Sequence, residues 1–274
     1  MIKITALMDD CCRNGSNLMC SHGLSFHIGY HGKVILFDFG QNGDFISNAG
    51  ALNLSIAADA AVCSHNHYDH AGGYPAFLNQ GGVCPLITGE NFFCERYSLK
   101  GPEPPAFSGG ALKEQDLKRQ GVDWKVCRDV LEVEPGCFAV GNFPRVWGME
   151  TVPKRFIKIK GKEQIQDEFE DEICLVIDLE EGLTVITGCS HPGILNMASK
   201  VHQIFKKPVY RIIGGTHLKE ADQMRIMETG RELARIGVKK MWLGHCTGRL
   251  CAKALQQSSG IICTYYQCGD SLEL

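Results

Sequence analysis

Three histidines and an aspartate crowd into Ser64-His65-Asn66-His67-Tyr68-Asp69-His70. Neutral imidazole nitrogens and a hard carboxylate oxygen are donors that suit Zn²⁺, with Fe or Mn also accommodated. The run follows directly on Ala60 to Cys63, an apolar stretch that reads as a short buried strand. In α/β sheets ligands gather at the carboxyl ends of strands, so the spacing predicts a metal cluster at this point. Ala71-Gly72-Gly73 comes next, and glycines let the backbone fold close around an ion. His65, His67, Asp69 and His70 are therefore the first candidate metal ligands, and Asp69 could accept a proton as well.

Other histidines also stand where strands end. His191 lies in TGCSHPG after LTVITG, His245 in GHCTG after KKMWL, and His217 in GGTHL after VYRII. The same strand-end argument makes His191 and His245 candidate metal ligands, with helix capping the alternative for His191. His217 could ligate, meet substrate or donate a proton, and an orienting or catalytic role is expected. Cys189 precedes Ser190 and His191; a thiolate can bind zinc, while a buried thiol is inert, and both readings stay open. Arg145 and the Lys154-Arg155 pair are candidate phosphate contacts, since a guanidinium grips phosphate in bidentate fashion. The Lys-Arg pair equally suits a surface salt bridge. His27, His31 and His202 fall at strand, turn and exposed-helix positions with no chemistry implied.

The elements that must position these residues alternate between strand and helix. Ile2 to Met8 and Leu24 to Ile28 read as strands, and Gly29 to Lys33 as a turn into VILFDFG. Residues 44–56 suggest a short helix ending near Leu54. From 171, EICLVIDLEEGLTVITG is a hairpin turning at Glu180-Glu181-Gly182. A helix from Ile194 to about Lys206, strand VYRIIGG and a helix from Ala221 to Ile236 follow. Strand KKMWLGH, helix CTGRLCAKALQQ and strand IICTYYQC end the chain. Such alternation predicts an α/β architecture with helices covering the sheet faces. Between them, roughly 74–150 is richer in Pro and Gly and contains GPEPPAFSGG. It reads as a loop-rich insertion over the site within a single domain, 1–274, with ALKEQDLKRQ as a polar helix stopped by Gly121.

Composition narrows the partners. The 274 residues are 44% hydrophobic and 22% charged, with a net charge of −3. A nucleic-acid binder usually carries a basic excess, so a small-molecule substrate is expected, with no nucleic acid. MIKITALMDD has no apolar core of a signal peptide, and apolar runs such as Val34 to Phe37 are far too short to span a membrane. A cytoplasmic location with no membrane partner is the expectation; oligomeric state is not readable. The 14 cysteines would then be reduced, most of them packing as small hydrophobes. The Cys246–Cys251 and Cys263–Cys268 spacings do not match the tight runs that hold iron–sulfur clusters. No GxGxxG, P-loop or GxSxG pattern is present.

SHNHYDHAGG resembles the HxHxDH motif of the metallo-β-lactamase superfamily. CSHGLSFHI, ILFDFGQ, GNFPRV, TGCSHPGI, GGTHL and GHCTG, in that order, resemble its subfamily named for dihydropterin-ribofuranosylaminobenzene phosphate synthase. The resemblance implies an αββα four-layer sandwich of two similar halves and two divalent metal ions, zinc foremost with Fe or Mn alternatives. His65, His67 and His191 would serve one metal; Asp69, His70 and His245 the other. Many relatives carry a bridging aspartate where this chain has Cys189, which would weaken the second site. Asp38 would lie near the cluster, orienting a ligand histidine or capping its turn, and His22 at the mouth, meeting substrate. The activity implied is hydrolysis of a small phosphate- or ester-bearing molecule by a metal-activated water. The alternatives are a synthase-like transferase, whose pterin could stack on Tyr68, Phe107, Phe143 or Trp147, and a non-catalytic metal-dependent sensor.

Overall fold

The computed structural model describes residues 1–160 and 163–274. Two compact units divide the chain: Met1–Val126, Pro153–Asp171 and Gln267–Leu274 form unit 1, and Cys127–Val152 with Glu172–Tyr266 form unit 2.

In unit 1, β1 (Ile2–Met8), β2 (Ser25–Tyr30) and β3 (Lys33–Phe37) form an antiparallel meander. The β2–β3 turn uses His31 and Gly32, both with positive φ, as a two-residue hairpin loop requires. After β3 the chain switches to parallel crossovers. Helix α1 (Asp44–Ala51) leads to β4 (Ala60–Val62), and the short α2 (Tyr68–Ala71) and α3 (Tyr74–Asn79) lead to β5 (Leu86–Gly89). Phe45 and Ala49 of α1 and Tyr74, Phe77 and Leu78 of α3 bury their apolar faces with Leu36, Ala61 and Leu86 of the sheet. A small sheet of β6 (Arg96–Ser98), β7 (Ala106–Phe107), β11 (Phe156–Lys160) and β12 (Glu163–Gln166) completes the unit. Helix α4 (Glu114–Gln120) is the polar helix ending at Gly121. Strand β8 (Trp124–Cys127) closes one edge of the main sheet and β18 (Ser271–Glu273) the other.

Unit 2 is built on a sheet ordered β17 (Ile262–Tyr265), β16 (Lys240–Leu243), β15 (Val209–Gly214), β14 (Gly182–Thr187), β13 (Cys174–Leu179), β10 (Cys137–Val140) and β9 (Val130–Glu134). β13 and β14 form the expected hairpin, and β14 through β17 are parallel. Helices α5 (Ile194–Phe205), α6 (Gln223–Arg235) and α7 (Arg249–Ser259) supply the crossovers. Their buried stripes, Leu195, Ala198 and Val201, Ile226 and Leu233, and Ala252 and Leu255, pack with Val185, Ile212 and Met241.

The stretch 74–150, expected as a loop-rich insertion, contains regular elements as well. That stretch holds β5 through β10 with α3 and α4, and β5 and β8 belong to the main sheet of unit 1. Its strands run only two to five residues, too short for a period to emerge from the sequence. The helix expected over 44–56 ends at Ala51, and β18 was not anticipated. Among the described residues, no helix is long and apolar enough to cross a membrane.

Candidate metal centre

Within unit 1 the loop after β4 folds its donors onto one another. His65 Nε2 lies 3.1 Å from His67 Nδ1, and His70 Nε2 lies 3.7 Å from Asp69 Oδ2. All four residues are buried. Burial pushes the imidazole of His65 well below its usual pKa and that of His67 down to about 3. Both rings are thus neutral, the form that binds metal.

Asp38 sets the tautomers. It follows β3 with a positive φ of 56° and is fully buried. Its Oδ2 accepts from His70 Nδ1 at 2.6 Å and from Ser64 Oγ at 2.8 Å, and its Oδ1 accepts from Ser64 N. Ser64 Oγ, having given its proton to Asp38, accepts from His65 Nδ1 at 2.9 Å. One carboxylate therefore holds protons on Nδ1 of two rings and leaves each Nε2 lone pair turned to the cluster. Of the two roles open to Asp38, the geometry selects the orienting one.

The glycines after the cluster let neighbouring backbone approach closely. A Cβ on Gly72 would lie 2.2 Å from the Tyr68 carbonyl and 2.5 Å from that of Gln41. Ser108 to Gly110 lie along the ligand loop, where Tyr68 N donates to Ser108 O and Gly110 N to Asn66 O. Phe156 and Phe169 stand beside the His67 ring, with centroids 5.3 and 5.0 Å away. His22, expected at the mouth, is exposed and closer to the donors than foreseen: Nδ1 is 3.1 Å from Asp10 and Nε2 3.2 Å from Asp69 Oδ2.

Within unit 2, the ends of β14, β15 and β16 bring together Cys189, His191, His217, His245 and Cys246. The Cys189 Sγ is 3.3 Å from His245 Nε2, and the His191 and His217 rings lie 4.4 Å apart. Ser190, His217 and His245 all adopt positive φ, a strained state that clusters at functional loops. Burial alone would raise the Cys246 thiol. Hydrogen bonds with Cys189 and His217, and the nearby imidazoles of His245 and His217, bring it well below its usual value instead. Arg145 is exposed and donates from Nη1 to the His191 carbonyl at 3.1 Å. Of the aromatic candidates, Tyr68 and Phe107 are exposed in unit 1. Phe143 and Trp147 pack against the core of unit 2, where Trp147 Nε1 donates to Ser199. The Lys154-Arg155 pair belongs to unit 1, with the Arg155 guanidinium over the Phe156 ring.

Three acidic residues that support these loops carry no motif. Asp171 accepts from Asn66 N at 2.9 Å and from Arg96, which is buried and also bound to Asp167. Glu172 accepts from Ser190 N and His191 N. Glu150 accepts from Leu195 N and Asn196 N at the start of α5. Their buried neighbours come from far along the chain, so spacing could not mark them.

The donor set fits a divalent ion: neutral, oriented imidazoles and a carboxylate in unit 1, imidazoles and thiols in unit 2. Comparison with known proteins agrees. The profile of the metallo-beta-lactamase superfamily matches residues 20–153. The chain is 34% identical to the 7,8-dihydropterin-6-methyl-4-(β-D-ribofuranosyl)-aminobenzene-5'-phosphate synthase of Methanocaldococcus jannaschii, over 90% of this chain and 88% of that one. A solved structure described as a metal-dependent hydrolase of the β-lactamase superfamily superposes with a TM-score of 0.87 at 26% identity, covering 100% of this chain and 99% of the other. The metallo-β-lactamase fold protein YhfI of Bacillus subtilis shares the fold alone, at a TM-score of 0.59 and 12% identity over the whole of both chains. The chain belongs to the metallo-β-lactamase superfamily and has its α/β fold.

Proposed function

We propose that this protein is a metal-dependent hydrolase that cleaves a phosphate or ester bond in a small molecule. The observation that carries the reading is the Asp38 relay, which presents Nε2 of both His65 and His70 in the ligating state. The ligands for divalent ions would be His65, His67, Asp69 and His70 in unit 1 and His191 and His245 in unit 2, with zinc favoured by the chemistry of the donors. Such an ion supplies Lewis acidity and lowers the pKa of a water to ~7. Asp69 accepts the proton released as the bond is attacked. His22, steadied between Asp10 and Asp69, meets the substrate from the solvent side. Arg145 offers its guanidinium to a substrate phosphate, and Phe156 and Phe169 keep water from the His67 face. For His217, the sequence suggests orientation or proton transfer; its surroundings favour another role, argued below. A chain whose cysteines all stand as thiols suits a reducing compartment, the cytoplasm.

His67→Ala is expected to abolish metal-dependent hydrolysis of a phosphodiester panel. Unchanged turnover in the pure variant would refute the reading.

A second reading is favoured by the 34% identity to a synthase: condensation of a dihydropterin with a ribosyl-aminobenzene phosphate, the leaving group departing without attack by water. Tyr68 and Phe107, both exposed, are the aromatic candidates for stacking on a pterin. Titration with a dihydropterin, followed by fluorescence, distinguishes the two, since the hydrolase reading requires no saturable quench.

A further inference from the structure

We propose that Cys189, His217 and Cys246 form a thiolate–imidazole site for a soft divalent ion of the zinc type, built within unit 2 alone. One ligand atom from each lies within 4.8 Å of the others, close to the roughly 3.6 Å that ligand atoms keep around a tetrahedral zinc ion. The three residues follow the carboxyl ends of β14, β15 and β16, which are adjacent and parallel. Both cysteines are buried and His217 is half-buried.

The backbone is shaped for this approach. A Cβ on Gly215 would stand 2.6 Å from Cys246 Sγ and 2.5 Å from the Gly188 carbonyl, so only glycine lets the sulfur sit there. The His217 amide donates to Cys246 Sγ at 3.3 Å, which ties the sulfur to the His217 loop. His217 itself has φ of 50°. Two sulfurs and one nitrogen select zinc over Mg²⁺ or Mn²⁺, which prefer oxygen. The site goes beyond the histidine–aspartate centre, uses other residues, and makes His217 a ligand.

Cobalt(II) is the probe. Chelator-treated full-length protein, prepared anaerobically, is titrated with Co²⁺ while the near-ultraviolet thiolate-to-cobalt absorption is followed. The band is expected in the wild type and also in His65→Ala, which removes a ligand proposed only for the other centre. Cys189→Ser and Cys246→Ser should each remove about half of it or more, and His217→Gln should weaken cobalt affinity about tenfold or more. A wild-type protein without the band overturns the proposal, and that result does not depend on any variant folding. So does a band unchanged by Cys246→Ser in folded protein, because Cys189 alone would then supply the sulfur. A Cys189–Cys246 disulfide in the anaerobic, chelated protein would also overturn it. Loss of hydrolysis in His65→Ala with the band retained separates this site from the proposed catalytic one.

Discussion

Asp38 touches no substrate in this account, yet the ligating state of two histidines depends on it. In Asp38→Asn the oxygen can still accept from Ser64 N, but the amide nitrogen would face the His70 ring in place of Oδ2. His70 must then accept at Nδ1 and carry its proton on Nε2, where it cannot bind an ion. Metal affinity is expected to fall by about 10–100-fold, measured by competition against a chromophoric chelator; wild-type affinity would contradict the relay. The ligands themselves were legible because His65, His67, Asp69 and His70 are crowded within one loop. Asp38 was legible only as one of two roles. Asp171 and Glu172 were not legible, because their partners Asn66, Ser190 and His191 are distant in sequence and meet them only after folding.

The loops that end β4 and β14 need more than their strands to hold their shape. Glu172 is fully buried and satisfies two amides of the Cys189–His191 loop. Glu172→Ala strands both donors and should cost about 3 kcal/mol of stability, read from urea unfolding; a loss below about 0.5 kcal/mol would show that the loop holds without it. Glu150 makes a different prediction. Burial pushes its carboxyl up from 4.5 to about 7, against the pull of the Leu195 and Asn196 amides. The folded state therefore keeps a proton that the unfolded chain has already lost. The resulting stability is complete below pH 4.5 and disappears as pH rises through about 7, a change on the order of 3 kcal/mol at most. Glu150→Gln should flatten that slope; the same slope in both proteins would exclude Glu150 as its source. The strands and helices around these loops were readable where apolar runs are long, as in β3, β14 and α5. They were not readable in β6, β7 and β9, whose two to five residues are partly exposed and too few for a period to emerge among the turn-forming residues around them.

Each unit has its own apolar core, but the chain does not finish one before beginning the other. After unit 2 it returns to unit 1, where β18 pairs with β1, Cys268 is fully buried and its Sγ accepts from Asp9 N at 3.0 Å. Truncation after Tyr266 should expose β1 as an edge and lower Tm by roughly 10 °C; an unchanged Tm would mean that unit 1 is complete without its last strand. The α/β class was legible from the alternation of elements, whereas this return was not, since Ser271–Glu273 is short and largely exposed. The central claim is that the chain holds divalent ions through the histidine cluster and uses them to hydrolyse a small substrate. The most direct test is elemental mass spectrometry on anaerobically purified protein, with phosphodiester turnover measured on the same sample, for wild type and His67→Ala. The wild type is expected to hold at least one and up to about two ions per chain beyond any held by Cys189, His217 and Cys246, with turnover, and His67→Ala to lose turnover and hold less metal. Turnover by metal-free protein, or metal and activity both unchanged in His67→Ala, would contradict it.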